Sequence, residues 1–320
     1  MLTFFINLYR RLPYKYRFLS TYFSWPIRIL SSTSSFIRIG EKMFLSAADN
    51  ACLKYRSENK NYELGTTDLF CSLASKMDFP IAIDVGANYG IYMLNASVLA
   101  RRGLIKKVIA IEPDINAFKC LQKTVVSLEC ADLVQIINAA CAEGDGRIRF
   151  RYNARSSMDN RIYQEDQKNN FVTKKIVEVN SINLGNLIKK DINNQYIFKI
   201  DIEGGEYQAI KSMREALLNM PGYTIFFEYF PIALKEAKVN LMDFVNLIKD
   251  ISPSSFYERK PYDYFKLDQS EFYERLINCE FDESYNYEGP FTEFMISNIF
   301  GVEEFMKKNY KPKTNYGEDL

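Results

Sequence analysis

The amino-acid sequence predicts an α/β fold, a mostly parallel Rossmann-like sheet covered by helices on both faces. Three observations point there. From about residue 65, short apolar runs rich in β-branched residues alternate with stretches of helical period. Gly86 and Gly90 stand where the first of those runs passes into a helix. Glu112, Asp201 and Glu228 close three other runs, which sets acids along the carboxyl rim of a parallel sheet, where such folds bind ligands.

The elements follow in chain order. Ile81 to Val85 comes after Pro80 and is unbroken apolar but for Asp84, as suits a strand buried on both faces. Tyr89 to Arg101 is the helix after it. Val108 to Ile111 ends at Glu112-Pro113, and Ile115 to Leu128 forms the next helix. Leu133 to Ile137 ends at Asn138. Arg147 to Tyr152 and Lys175 to Val179 alternate like strands with one face in water, so they read as an antiparallel insertion. Tyr196 to Ile200 ends at Asp201. Glu206 to Met220 carries Ala209, Ile210, Met213, Ala216 and Leu217 at helical spacing. Tyr223 to Phe227 ends at Glu228, and Phe281 to Tyr287 and Phe291 to Ile299 flank Glu288-Gly289-Pro290 as a final hairpin.

Composition bounds the chemistry. A net charge of +1 gives no global field that would recruit a polyanion. The absence of histidine excludes Ser-His-Asp and Cys-His catalysis and histidine metal sites, which leaves carboxylate, Lys, Tyr or Cys as a general base. Six cysteines form no C-x-x-C, and several sit in apolar runs, the usage of a reducing, cytoplasmic compartment. Residues 1–64 read as a basic and aromatic, helical extension, 65–300 as the main domain and 301–320 as a tail. The first 45 residues hold seven Lys or Arg against one acid, interleaved with aromatics. That pattern fits either peripheral contact with an anionic membrane surface or helices packed as a lid on the main domain. The apolar opening, Met1 to Tyr9, is too short to span a bilayer and lacks the marks of a signal peptide.

In Asp84-Val-Gly-Ala-Asn-Tyr-Gly90, Gly86 allows a tight turn and close approach of backbone N–H groups to a ligand, Gly90 allows close helix packing, and Asp84 offers a carboxylate to a cationic ligand group. A plain strand-to-helix turn explains the loop equally well. Glu112, 22 positions after Gly90, adds an acid where both hydroxyls of a ribose could be accepted; its bland reading is a cap for the helix begun at Pro113-Asp114. Loop and acid together indicate a nucleoside-containing cofactor. Asn88 stands where a dinucleotide's pyrophosphate wants glycine, which favours a ligand without a pyrophosphate.

The second concentration is Lys199-Ile-Asp-Ile-Glu-Gly-Gly-Glu206. Three carboxylates within six residues repel one another unless a cation or proton is shared. Glu206 suits a helix N-terminus and Lys199 offsets charge, whereas Asp201, ending the strand beside the glycine-loop strand, faces the cleft.

Together, Asp84-Val-Gly-Ala-Asn-Tyr-Gly90, Glu112-Pro113, Lys199-Ile-Asp-Ile-Glu-Gly-Gly-Glu206 and Glu228 resemble, in order and separation, the FkbM family of methyltransferases over roughly residues 65–230. One position departs: Asn183 stands where the family has Asp. The resemblance implies a class I methyltransferase fold, with a seven-stranded sheet whose last strand is antiparallel. It also implies S-adenosylmethionine as donor and O-methylation of a hydroxyl on a sugar, glycan or secondary metabolite.

On this reading Asp84, Gly86, Ala87, Asn88, Gly90, Glu112, Pro113 and Asn138 bind the cofactor. Asp201 takes the acceptor's proton, with Glu203 and Glu228 behind it. No dedicated metal site is expected, and a divalent cation held by these acids is their alternative role. The expected partner is a small-molecule or glycan acceptor. Nucleic acid is not expected, because Asp201-Ile-Glu-Gly204 stands where base methyltransferases carry Asn/Asp-Pro-Pro-aromatic. The rival readings are a nucleic-acid methyltransferase and a nucleoside-binding or scaffold protein without catalysis. The sequence leaves oligomeric state open.

Overall fold

The computed structural model describes residues 34–38, 41–46, 49, 63–153, 156–164, 174–260, 263–278 and 292–309. Strands β1 (Ser34–Arg38) and β2 (Glu41–Leu45) pair as an antiparallel hairpin. Helix α1 (Leu64–Ala74) leads to β3 (Ile81–Val85), and α2 (Ile91–Arg101), β4 (Lys107–Ile111), α3 (Ile115–Val126) and β5 (Val134–Ile137) continue the alternation. A separate sheet follows, formed by β6 (Ala140–Cys141), β7 (Gly146–Asn153), β8 (Arg161–Ile162) and β9 (Lys174–Ile182) in the order β6-β9-β7-β8. Through α4 (Leu184–Ile188) the chain returns to β10 (Gln195–Ile200), α5 (Glu206–Asn219) and β11 (Gly222–Tyr229). Next come α6 (Pro231–Glu236), α7 (Leu241–Ile251), β12 (Ser255–Lys260) and β13 (Asp263–Leu267). Helix α8 (Gln269–Ile277), β14 (Thr292–Ser297) and α9 (Val302–Asn309) complete the described elements.

The large sheet has eight strands in the order β13-β12-β14-β11-β10-β3-β4-β5. From β11 to β5 every neighbouring pair is parallel. The last strand, β14, is antiparallel and lies between β11 and β12, and β13 adds one strand beyond the seven expected. Strand order reverses at β3, with β4 on one side and the much later β10 on the other. The crevice at the carboxyl ends of β3 and β10 is therefore the switch point where a ligand would sit.

The parallel strands are buried on both faces, which is why they read as apolar runs; every residue of β3 is buried. On one face Phe70 of α1, Met93 of α2 and Leu121 of α3 pack with Ile197 and Phe226. On the other, Met213 of α5 and Phe244 of α7 pack with Phe198, Phe227 and Phe294. Each fully buried phenylalanine contributes roughly 1.5–3 kcal/mol. Asp114 caps α3, accepting from the backbone N–H groups of Asn116 and Ala117.

Three expectations change. The extension read as helical carries the β1–β2 hairpin where it is described, because Met43 and Leu45 alternate inward and the Phe44 amide donates to Thr124 Oγ1 of α3 at 3.1 Å. The remainder of residues 1–62, with most of the basic segment, lies outside the described residues apart from residues 46 and 49. The first arm of the expected final hairpin, 281–287, also lies outside them, and its second arm is β14, held by β11 and β12. Within the 301–320 tail, Val302–Asn309 is a helix with Val302 and Met306 buried against the core. Among the described residues no helix is long and apolar enough to cross a membrane.

Candidate functional site

Gly86 ends β3, and Asp201 ends the neighbouring β10. The Asp201 amide donates to the Val85 carbonyl at 3.0 Å, and Gly86 has φ +79. A Cβ on Gly86 would lie 2.0 Å from the Asp201 carbonyl oxygen. The glycine is thus required by the backbone of the acid segment, a reason the sequence alone did not offer. The amides of Gly86 and Ala87 both donate to the Ile111 carbonyl at 3.0 Å, so the loop is tied to the end of β4 as well. At Gly90, φ is +83 and an added Cβ would meet Leu121 Cδ2 at 2.4 Å, which makes it the contact point of the loop with α3.

Glu112 is 6 % exposed, and its two carboxylate oxygens accept from the Asn88 amide at 2.7 Å and the Asp114 amide at 2.6 Å. The helix-capping role falls to Asp114 instead. Each carboxylate oxygen has a second lone pair, so Glu112 is fixed in orientation and keeps acceptor capacity for two hydroxyl donors. Burial pushes its carboxyl up to about 8. Asn138 Nδ2 donates to the carbonyls of Glu112 and Pro113 at 2.8 and 3.2 Å and so holds this corner in place. Asp84 accepts from the Met93 amide in the first turn of α2 at 3.0 Å, and burial pushes it up to about 7. A tight glycine turn tied to the ends of β4 and β10, together with a pre-oriented acceptor carboxylate at the switch point, fits a nucleoside cofactor with a cationic group.

The other three acids meet. One carboxylate oxygen from each of Asp201, Glu203 and Glu228 lies within 4.8 Å of the others, a spacing that a single divalent cation could bridge. Burial raises both Asp201 and Glu228, Glu63 and Glu293 adding to the rise at Asp201 and Asp201, Glu203 and Glu206 to that at Glu228, with Lys199 offsetting part of it. Glu203 sits at φ +56 and pairs with Arg161 of β8 at 3.3 Å. Glu206 turns back to accept from the amides of Ile202 and Gly204 at 3.0 and 2.9 Å, so it shapes the acid loop, which goes beyond the helix-dipole role read from sequence.

Sequence reasoning missed three contributors. Arg161 comes from the insertion and joins Glu203 to Glu236. Ser157, also in the insertion, accepts from Asn88 Nδ2 through its hydroxyl at 3.0 Å. Its amide, with the Tyr89 hydroxyl, donates to Asp49. Glu293 of β14 reaches Lys199. Nothing in the sequence marked Arg161 out among the several basic residues of the insertion, and the others depend on contacts between distant segments.

Comparison with known proteins adds independent findings. The chain matches the family model described as the methyltransferase FkbM domain over residues 84–251, just over half of its length. No curated protein matches it in sequence. Among solved structures, methyltransferase FkbM from Methylobacillus flagellatus KT is similar with a TM-score of 0.40 and 17% identity, covering 68% of this chain and 54% of that one. The complex of aTrm5 with tRNALeu gives a TM-score of 0.40 and 8% identity, over 83% of this chain and 52% of that one. The M. jannaschii tRNA m1G37 methyltransferase gives 0.37 and 8%, over 83% and 54%. The matches thus span about half the length of each of these three chains. The expectation that nucleic acid plays no part is corrected: two of these similar structures are named for tRNA, one as its complex.

Proposed function

The chain belongs to the methyltransferase FkbM domain family, and from that premise we propose that it is an S-adenosylmethionine-dependent methyltransferase acting on a hydroxyl of a sugar, glycan or secondary metabolite. One observation carries the reading: the backbone contact of Gly86 with Asp201 joins the nucleoside corner at Glu112 to the carboxylate cluster at one rim of the sheet.

S-adenosylmethionine, when bound, supplies an electrophilic methyl group on a sulfonium. Glu112 accepts the ribose hydroxyls, Asn138 and Pro113 hold that corner, and Asp84 offers its carboxylate to the cationic end. Gly86, Ala87, Asn88 and Gly90 shape the loop between them. Asp201 receives the proton of the acceptor hydroxyl, with Glu203 and Glu228 as neighbouring acceptors. The raised affinity of Asp201 and Glu228 for protons makes these two better bases than free carboxylates. The same three acids would suit Mg²⁺, which would lower the hydroxyl pKa in place of a base. A cytoplasmic location belongs to this reading and is supported by free thiols at Cys71, Cys120, Cys130 and Cys141. The transferase domain runs over residues 65–300, with 1–64 as its extension.

The test is transfer of labelled methyl from S-adenosylmethionine into separated glycan, metabolite and RNA fractions of a strain lacking the protein. Alkali-stable label in glycan or metabolite supports the reading. Label confined to a ribonuclease-sensitive fraction overturns the acceptor, and no transfer to any fraction overturns the activity.

A further inference from the structure

Lys199 is 2 % exposed, inside β10, an unusual place for an ammonium group. Its Nζ lies 3.4 Å from Asp201 Oδ2 and 3.5 Å from Glu293 Oε1, with the Tyr92 ring centroid at 5.4 Å. Glu293 is itself fixed: it accepts from Arg259 Nη1 at 2.9 Å and from Thr66 Oγ1 at 3.3 Å. Arg259 occupies the other carboxylate oxygen of Glu293, and the field at Lys199 also comes from Asp201, Glu63 and Glu228, so this cation answers to a group of acids and not to Glu293 alone.

Position supplies the reason. Lys199 and Asp84 are registered partners in the parallel pair β10–β3, so both side chains leave the same face of the sheet. The ammonium therefore leaves the sheet on the face that carries Asp84, while its Nζ contacts Asp201 and is anchored by Glu293. Nearby carboxylates hold it firmly protonated.

Resting on the methyltransferase reading, we propose that Lys199 is a specificity-determining residue whose fixed positive charge lowers the affinity for the sulfonium donor relative to its uncharged-sulfur product. The two molecules share the nucleoside and the amino-acid end and differ in the methyl group and in the charge on sulfur. A cation buried nearby weakens the binding of a charge that the reaction removes, and that difference favours the transition state over the bound donor. Without Lys199, the surrounding carboxylates would retain the sulfonium more tightly than the product.

Calorimetry of the full chain in EDTA, with S-adenosylmethionine and S-adenosylhomocysteine as separate probes, tests this without an acceptor. Lys199→Met is expected to raise the ratio of donor to product affinity by roughly 10- to 100-fold, the order expected for two unit charges about 6–12 Å apart at an effective dielectric near 20. Lys199→Met combined with Glu293→Gln removes the cation together with its anchor, and a smaller rise in the same direction is expected, because one of the uncovered carboxylates is gone as well. Lys199→Arg should leave the ratio near that of the wild type. Equal weakening of both ligands in the two methionine variants, or an unchanged ratio, would overturn the proposal alone. A wild-type protein that binds neither ligand overturns the methyltransferase reading and this proposal with it.

Discussion

A β-carbon placed on Gly86 would stand 2.0 Å from the carbonyl oxygen of Asp201, so the ends of β3 and β10 meet backbone to backbone with no room for a side chain. Gly86→Ala should therefore force these strand ends apart. The left-handed φ and the overlap together suggest roughly 2–5 kcal/mol of lost stability. Gly103→Ala has the left-handed φ but nothing within 4 Å, and should show only the backbone part. Urea unfolding of both variants is the measurement; equal losses would show that the Asp201 contact costs nothing.

Glu112→Ala should weaken binding of S-adenosylhomocysteine, measured above pH 8 where the carboxyl is ionised, by roughly 2–4 kcal/mol at most, the scale of two charge-assisted hydrogen bonds. It also leaves the amides of Asn88 and Asp114 without their acceptor, so part of any loss is loop disorder. Glu112→Gln keeps the shape and one acceptor oxygen and separates the two contributions. Calorimetry finding unchanged affinity in both variants would remove Glu112 from the cofactor site.

Stability of the ligand-free protein should fall as pH rises from about 5 to 8. Burial pushes Glu112 up to about 8 and Asp84 and Glu206 up to about 7. In that window the folded state holds protons that the unfolded chain has released, so the folded state loses ground with each step upward. Glu112→Gln, which cannot titrate, should flatten the upper part of the slope. Urea midpoints compared at pH 5 and pH 8 decide it, and a midpoint that rises between them contradicts the assignment.

Asp201→Asn should leave affinity for S-adenosylhomocysteine nearly unchanged and lower the rate of methyl transfer by about 10²–10⁴ if the carboxylate is the base. If the acids instead hold a divalent cation, EDTA should lower the wild-type rate similarly and Mg²⁺ should restore it. The measurement is label transfer into the accepting fraction. Near wild-type turnover of the variant would move the base to Glu203 or Glu228.

The parallel strands were legible because burial on both faces leaves a local imprint: Ile81 to Val85 and Tyr196 to Ile200 are apolar almost throughout. The acid at the end of each strand was legible for the same reason, since a run of apolar residues stops there. Strand β12 carries no such imprint. Its Glu258 is buried only because Arg275 of α8 pairs with both carboxylate oxygens, a compensation invisible from Ser255 to Lys260 alone. Likewise the charge environment of Lys199 is completed by Glu293, which reaches β10 through the insertion of β14 into the sheet rather than through any short motif.

That insertion has a consequence for synthesis. Strand β14 fills a slot between β11 and β12, both of which precede it in the chain. While the polypeptide emerges from the ribosome, β11 and β12 lack their shared neighbour until residues 292–297 arrive. Through that interval two strand edges stay open to wrong pairing, and Lys199 is without its Glu293 anchor. The central sheet therefore closes with the last-made of its described strands, which leaves the nascent chain dependent on protection until residues 292–297 have been made.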